Sequence, residues 1–305
     1  MKILLIGGNG YIGSALYEYF KLNGYNVQSI DLCLFGIDAG YSIKQNYITF
    51  DISNYSHIIL LAAHSSVAMC EFNQKNAWLN NVTYFFNLCQ QLEFNQTLIY
   101  ASSASVYGTL PGISKESRIN LFPINTYDLT KISNDIIANS FIKRGKNIVG
   151  LRFGTVNGPS KNIRSDLMIN SMFKSYMECG EIFIKNINIH RPILSIKDLV
   201  RAIGAILNSK NIVSGQYNLT SFNTTVYNIA EVLNKLLKCK INIDENNDNN
   251  IYDFMIDNTL FQTTYNYIFK ETIEDIILDF NMLSDCTNFF PRNNDNLFNS
   301  NIQEL

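Results

Sequence analysis

The chain has 305 residues, 47% hydrophobic and 16% charged, with a formal net charge of −2 and a pI near 5.9. That balance suits a globule with a substantial core and gives no basic face for nucleic acid or an anionic membrane, and the length allows one large α/β domain or two small ones. Six cysteines (Cys33, Cys70, Cys89, Cys179, Cys239, Cys286) form no Cys-x-x-Cys pair, and His57, His64 and His190 are too scattered to hold a metal, so reduced thiols and no bound metal are expected. No signal peptide is visible and no apolar run approaches the ~18 residues of a membrane span, which makes the cytoplasm the default location.

The first predicted element is a buried strand ending at Ile6, followed by Gly7-Gly8-Asn9-Gly10-Tyr11-Ile12-Gly13 and a helix pattern from Ser14 to Leu22. Glycines at 7, 10 and 13 let a backbone approach a pyrophosphate and point a helix N-terminus at it. On its own such a triplet is weak evidence. Between a strand and a helix it predicts dinucleotide binding. The helix stops near Asn23-Gly24, and Val27 to Ile30 form a second strand ending in Asp31. A carboxylate here suits the adenosine ribose hydroxyls and repels a 2′-phosphate, so NAD is expected over NADP.

Tyr47 to Phe50 are expected as a third strand ending at Asp51-Ile52, and His57 to Ala63 as an apolar fourth. Phe72 to Leu92 read as one long helix, Thr97 to Ala101 as a fifth strand, Ile124 to Lys143 as a helix and Asn147 to Phe153 as a sixth strand. The alternation predicts an α/β fold with a doubly wound parallel sheet over 1–158. Past Gly158-Pro159 the elements shorten: helices over 166–179, 196–207 and 227–238, strands over 182–184 and 216–219, a polar run over 244–250, and weaker helical pattern over 258–280. Residues 159–305 are expected to form mainly a smaller substrate-binding domain, with some segments returning to the first and a loosely held polar tail.

Tyr127-Asp-Leu-Thr-Lys131 puts a phenol and an ammonium one helical turn apart on the same face. Such a lysine is expected to lower the tyrosine pKa so that it can take a proton from a sugar hydroxyl as hydride leaves the carbon. Tyr17/Lys21 has the same spacing but belongs to the first helix. Context selects Tyr127: Leu98 to Gly108 is a strand opening into Ser102, Ser103 and Ser105 at its C-terminal end, where α/β ligands bind.

Taken together these stretches resemble the extended short-chain dehydrogenase/reductase family, in its NAD-dependent nucleotide-sugar epimerase/dehydratase group, which includes UDP-glucose 4-epimerase. The resemblance runs over nearly the whole chain. It implies a Rossmann fold and a site in which Gly7, Gly10, Tyr11, Ile12, Gly13, Asp31, Asp51, Ile52, Leu61, Ala62, Ala63 and Phe153 hold NAD together with Tyr127 and Lys131. Ser103, Tyr127, Lys131 and Asn81 would form the catalytic set, with Asn81 ordering the active-site strand or a water. Ser65, Ser103, Asn170 and Arg191, the last within Arg191-Pro-Ile-Leu-Ser-Ile-Lys-Asp198, would contact a nucleotide-diphosphate sugar. A homodimer paired through the helices bearing Asn81 and Tyr127 is also implied, Val82, Phe85, Phe86 and Cys89 offering an apolar face that could equally be core.

Where the family's 4,6-dehydratases carry Asp-Glu after the catalytic hydroxyl, this chain has Ala104-Ser105, which argues against dehydration. Thr155 and Asn157 replace the usual asparagine and tyrosine of the post-catalytic strand, and Asn249-Asn250-Ile251 stand where a second diphosphate-binding arginine is usual. The expectation is a C4 epimerase. A 4-keto-6-deoxy-sugar reductase shares every one of these residues, and an intact Ser103/Tyr127/Lys131 set argues against a nucleotide-binding protein without catalysis.

Overall fold

The computed structural model describes residues 1–109, 112–246 and 252–284. The polar tail, Cys286 and the Asn249–Ile251 segment lie outside the described residues. Its strands are β1 (Lys2–Ile6), β2 (Asn26–Asp31), β3 (Ser42–Lys44), β4 (His57–Leu60), β5 (Thr97–Ser103), β6 (Ile113–Ser114) and β7 (Asn147–Phe153). They continue with β8 (Thr155–Asn157), β9 (Glu181–Lys185), β10 (His190–Ser195), β11 (Gly215–Leu219), β12 (Phe222–Thr225), β13 (Lys240–Asp244) and β14 (Met255–Ile256).

Seven strands form one fully parallel sheet in the order β11-β7-β5-β4-β1-β2-β3. Helices cover both faces, so the inner strands are apolar throughout: Ile3, Leu4, Leu5, Ile58, Ile59, Leu98, Ile148 and Val149 are all fully buried. The chain winds outward from β1 to β3, then restarts at β4 and winds the other way. A crevice must open between the C-terminal ends of β1 and β4, where the crossovers diverge. The smaller sheets β8-β10-β12, β9-β13 and β6-β14 are built from residues after Phe153 together with β6, which precedes it in the chain.

The fourth strand ends at Leu60, the helical pattern over 258–280 is two helices, Thr259–Tyr265 and Ile273–Ser284, and two further predicted elements change in kind. The third strand is Ser42–Lys44, and the segment Tyr47–Thr49 is a single 3-10 turn opened by Asn46, whose side chain accepts from Ile48 N–H. Only a few residues separate that turn from β4, too few for a further crossover. The expected long helix is broken into Val67–Phe72, Gln74–Trp78, a π-helical turn at Leu79–Thr83 and Tyr84–Gln91. Ser66 and then Asn73 each cap a new start, and the π-turn carries Asn81. Of the residues expected on an apolar dimer face, Val82, Phe85 and Cys89 are core and only Phe86 is exposed.

A buried ion pair locks the middle of the sheet to the helix Thr126–Ile142. Arg152 Nε of β7 donates to Asp135 at 2.8 Å and its Nη1 to the Tyr107 hydroxyl at 2.8 Å. The Tyr100 hydroxyl donates to the other Asp135 oxygen at 2.7 Å. Tyr107 reaches Asn218 of β11 at 2.8 Å, so the polar groups form one satisfied network.

Candidate active site

A cleft of about 560 Å³ opens at the switch point between β1 and β4. One wall is the glycine turn. Gly7 sits at φ +89°, and a Cβ there would lie 2.5 Å from the Ala62 backbone nitrogen. At Gly13 a Cβ would fall 2.0 Å from the Gly7 carbonyl oxygen. These two glycines are required by the turn itself. Gly10 is different: its φ is −74°, a Cβ would meet only the Gly7 oxygen at 3.4 Å, and the residue lines the cleft. Glycine at 10 keeps space for something other than protein. The helix Tyr11–Leu22 begins here with no side-chain cap on its N-terminal amides, which leaves them for an anion.

Asp31 ends β2 at the rim, its carboxylate held by the Asn9 and Cys33 amides, each at 2.8 Å. Leu61, Ala62 and Ala63 line the floor, with Tyr11, Ile12 and Phe153 beside them. Asp51 and Ile52 do not reach the cleft. Asp51 is exposed and closes a turn on Ser53 N–H at 2.9 Å, while Ile52 packs in the core. The wall expected from them is built by Gln45, Asn46 and Tyr47, because the 3-10 turn brings those residues to the end of β3. Tyr47 meets Tyr84 edge-to-face at 6.4 Å, and both line the cleft. The sequence signal for this wall was the polar pair Gln45-Asn46 after a short strand.

Across the cleft stand Ser103, Ser105, Tyr127 and Lys131. β5 delivers Ser103 at its C-terminal end, and the helix Thr126–Ile142, capped by Asn125, delivers Tyr127 and Lys131. Lys131 Nζ donates to the Ala101 carbonyl at 2.9 Å and lies 5.5 Å from the centroid of the Tyr127 ring. Burial pushes Lys131 down to about 8 and Tyr127 up to about 12; hydrogen bonding with Ser103 and the charge of Arg164 pull the phenol back only partly. The Lys131 ammonium gives its hydrogen bond to a backbone carbonyl.

Asn81 lies behind the cleft. Its side chain accepts from His64 N–H at 2.8 Å and donates to the His64 carbonyl at 3.1 Å and to Thr130 Oγ1 at 3.2 Å. It laces the loop after β4 to the catalytic helix. Ser65 and Arg191 both line the cleft, and burial pushes the Arg191 guanidinium down to about 10. Asn170 does not line it: fully buried, it accepts from Gly158 N–H at 2.9 Å and donates to Tyr11 and the Arg164 carbonyl. Its place at the start of a helix makes it a clamp on the loop.

Arg164 was not anticipated. It lines the cleft, donates to the Ser65 carbonyl at 3.1 Å and is gripped at two nitrogens by Asp166, at 3.0 and 2.5 Å. The sequence signal was the Arg-x-Asp spacing after Gly158-Pro159. Tyr252 and Phe254, from the far end of the chain, also line the cleft. No group of three or more potential metal ligands exists among the described residues.

Residues 3–229 match the model of the NAD dependent epimerase/dehydratase family. The chain is 30% identical over 239 residues to protein CapI of Staphylococcus aureus, covering 68% of this chain and 69% of that one. It is 28% identical over 263 residues to the ADP-L-glycero-D-manno-heptose-6-epimerase of Brachyspira hyodysenteriae, covering 77% and 81%. Among solved structures, the UDP-glucuronic acid 4-epimerase of Bacillus cereus, held with UDP-glucuronic acid and NAD, shares the fold with a TM-score of 0.80 at 21% identity, over 93% of this chain and 99% of that one.

Proposed function

This chain belongs to the NAD dependent epimerase/dehydratase family, and from that premise we propose that it inverts C4 of a nucleotide-diphosphate sugar through a transient 4-keto form. The observation that carries the reading is the Ser103/Tyr127/Lys131 set facing the glycine turn across one cleft. The cofactor is NAD. The uncapped helix at Tyr11, the open side of Gly10 and the carboxylate of Asp31 fit its pyrophosphate and ribose. Bound there, NAD supplies an acceptor for the C4 hydride and the means of returning it to the other face.

The chain's own residues do the rest. Tyr127, on the same wall of the cleft as Ser103, holds the 4-hydroxyl and receives its proton as the carbonyl forms. Lys131, a cation at neutral pH even with its lowered pKa, balances charge beneath the tyrosine. Arg191 and Arg164 supply positive charge for the diphosphate end and the sugar end respectively. Asn81 keeps the loop after β4 in register with the catalytic helix. Thr155 lines the cleft.

The dehydratase reading lacks the Asp-Glu pair, replaced by Ala104-Ser105. We also propose a cytoplasmic homodimer; among the described residues no helix is long and apolar enough to cross a membrane. Proton NMR of the protein with UDP-glucose, UDP-glucuronic acid and UDP-N-acetylglucosamine and catalytic NAD tests the function. The expected result is a C4 epimer without net change in cofactor, lost at least ~100-fold in Tyr127→Phe. Net consumption of NADH on a 4-keto-6-deoxy sugar, with no epimer from any UDP-hexose, would replace it by a reductase.

A further inference from the structure

The chain between β2 and β3 forms neither helix nor strand over residues 32–41. It still walls the cleft, through Leu32, Leu34, Phe35 and Gly36 just beyond Asp31. Leu34 and Ile37 are 41% and 59% exposed, so packing does little to hold this loop in place. Its middle is fastened instead by a side chain 125 residues further along the chain. Asn162 is buried in the segment between β8 and the helix Met168–Cys179. Its Oδ1 accepts from Ile37 N–H at 2.7 Å, and its Nδ2 donates to the Ile37 carbonyl at 3.0 Å and the Asn9 carbonyl at 2.5 Å.

Gly36 makes room for that amide. It sits at φ +72°, and a Cβ there would lie 2.5 Å from both Asn162 Cγ and Oδ1. Both partners are tied to the glycine turn as well. Ala39 N–H donates to Asn9 Oδ1 at 3.1 Å, and the Tyr41 hydroxyl to the Gly8 carbonyl at 2.9 Å. On the other side, the Tyr11 hydroxyl donates to the Gly158 carbonyl at 2.7 Å, and Ser160 Oγ to the Tyr11 carbonyl at 2.7 Å. Asn162, Ile163 and Arg164 line the cleft too, so two cleft-lining segments are joined at one amide. The joint is built to part. With Ile37 more than half exposed, water can take over its N–H and carbonyl when Asn162 lets go.

We propose that Asn162 is the latch that keeps NAD in the cleft, by holding residues 32–41 closed beside Asp31. The inference rests on NAD as the cofactor and uses nothing about the sugar. A dinucleotide with its ribose at Asp31 has Leu32 to Gly36 as its next neighbours along the chain. In an epimerisation the hydride taken from the sugar returns from the same cofactor molecule, so the dinucleotide must outlast the ketone. A latch that stays closed through turnover meets that need, whereas a reductase exchanges its cofactor every cycle and would have to open it each time. Asn162 acts through the loop and is a positioning residue.

The experiment is the rate at which NAD leaves the protein without sugar, followed by chasing carbon-14-labelled NAD with an excess of unlabelled NAD. Wild type is compared with Asn162→Ala, Asn162→Asp and Gly36→Ala, with hydrogen exchange of each cofactor-free chain read by mass spectrometry. Asn162→Ala is expected to release NAD at least ~10-fold faster, the effect of about one lost hydrogen bond. Asn162→Asp turns an acceptor on the Ile37 and Asn9 carbonyls, and Gly36→Ala displaces the amide with a methyl, so both should match it. Faster exchange should be confined to residues 32–41 and their contacts. Should Asn162→Ala fail to fold, Gly36→Ala and the exchange pattern decide. Release at the wild-type rate, or protection lost evenly over the whole chain, overturns the latch alone. A wild-type chain that takes up no NAD overturns the cofactor reading and the latch with it. Failure of the epimerase reading is a separate result, since no sugar enters this assay.

Discussion

Lys131 is held at a cost. Its ammonium is nearly inaccessible to water and its pKa falls from an ordinary 10.5 to about 8. The folded state therefore binds fewer protons than the unfolded chain between those values, and stability rises with pH across that window. Below pH 8 the whole penalty is present, on the order of 3 kcal/mol at ~1.4 kcal/mol per pKa unit. Lys131→Met is expected to gain stability at pH 7, by an amount reduced by the lost bond to the Ala101 carbonyl, while turnover falls to background. Thermal unfolding of both proteins at pH 7 and pH 10 checks this: the gap should narrow at the higher pH. Residues of this kind were legible in the sequence as a spacing, Tyr127 to Lys131. Their electrostatics were not, because burial is a property of the packed molecule.

The glycine turn separates two demands that one motif conceals. Gly13→Ala pushes a methyl into the Gly7 carbonyl, so the strand, turn and helix must shift together. It is expected to lower the melting temperature and NAD affinity alike. Gly10→Ala meets no such obstacle, and it is expected to leave the melting temperature unchanged while weakening NAD at least ~10-fold, since Gly10 lines the cleft at the helix N-terminus proposed to take the pyrophosphate. Calorimetric titration with NAD beside thermal unfolding distinguishes the two.

At this scale the strands β1, β4, β5 and β7 were readable because a doubly covered sheet demands largely apolar runs, and β2 because it follows the helix stop at Asn23-Gly24. The 3-10 turn at Tyr47–Thr49 was not, since Tyr-Ile-Thr has strand propensity and only tertiary packing bends it. The same packing carried Asp51 away from the cleft. The π-turn was equally hidden; nothing in Leu-Asn-Asn-Val-Thr announces an extra residue in a helix.

For the whole molecule, the proposed pairing of two copies has a testable surface. Phe86 on Tyr84–Gln91, and Leu129 and Ile136 on Thr126–Ile142, are 39%, 44% and 64% exposed. Apolar side chains on two packed neighbouring helices suit an interface. Ile136→Asp is expected to halve the mass seen by light scattering and to leave the far-ultraviolet circular dichroism unchanged. An unaltered mass would remove these helices from the interface.

The long return of β11 to the main sheet governs how this molecule is made. β11 pairs with β7 along five residues, yet some sixty residues of substrate-side structure intervene. Until residue 219 has been synthesised, β7 ends the nascent sheet as an open edge, with unpaired amides and carbonyls along an apolar strand. A chain cut at Gly158 would keep every glycine and every catalytic side chain named above and still present that edge to its neighbours. A fragment ending at Gly158 is therefore expected not to fold on its own. Completion of the sheet is a late, non-local event, and the emerging polypeptide passes through an aggregation-prone stage that ends when β11 docks.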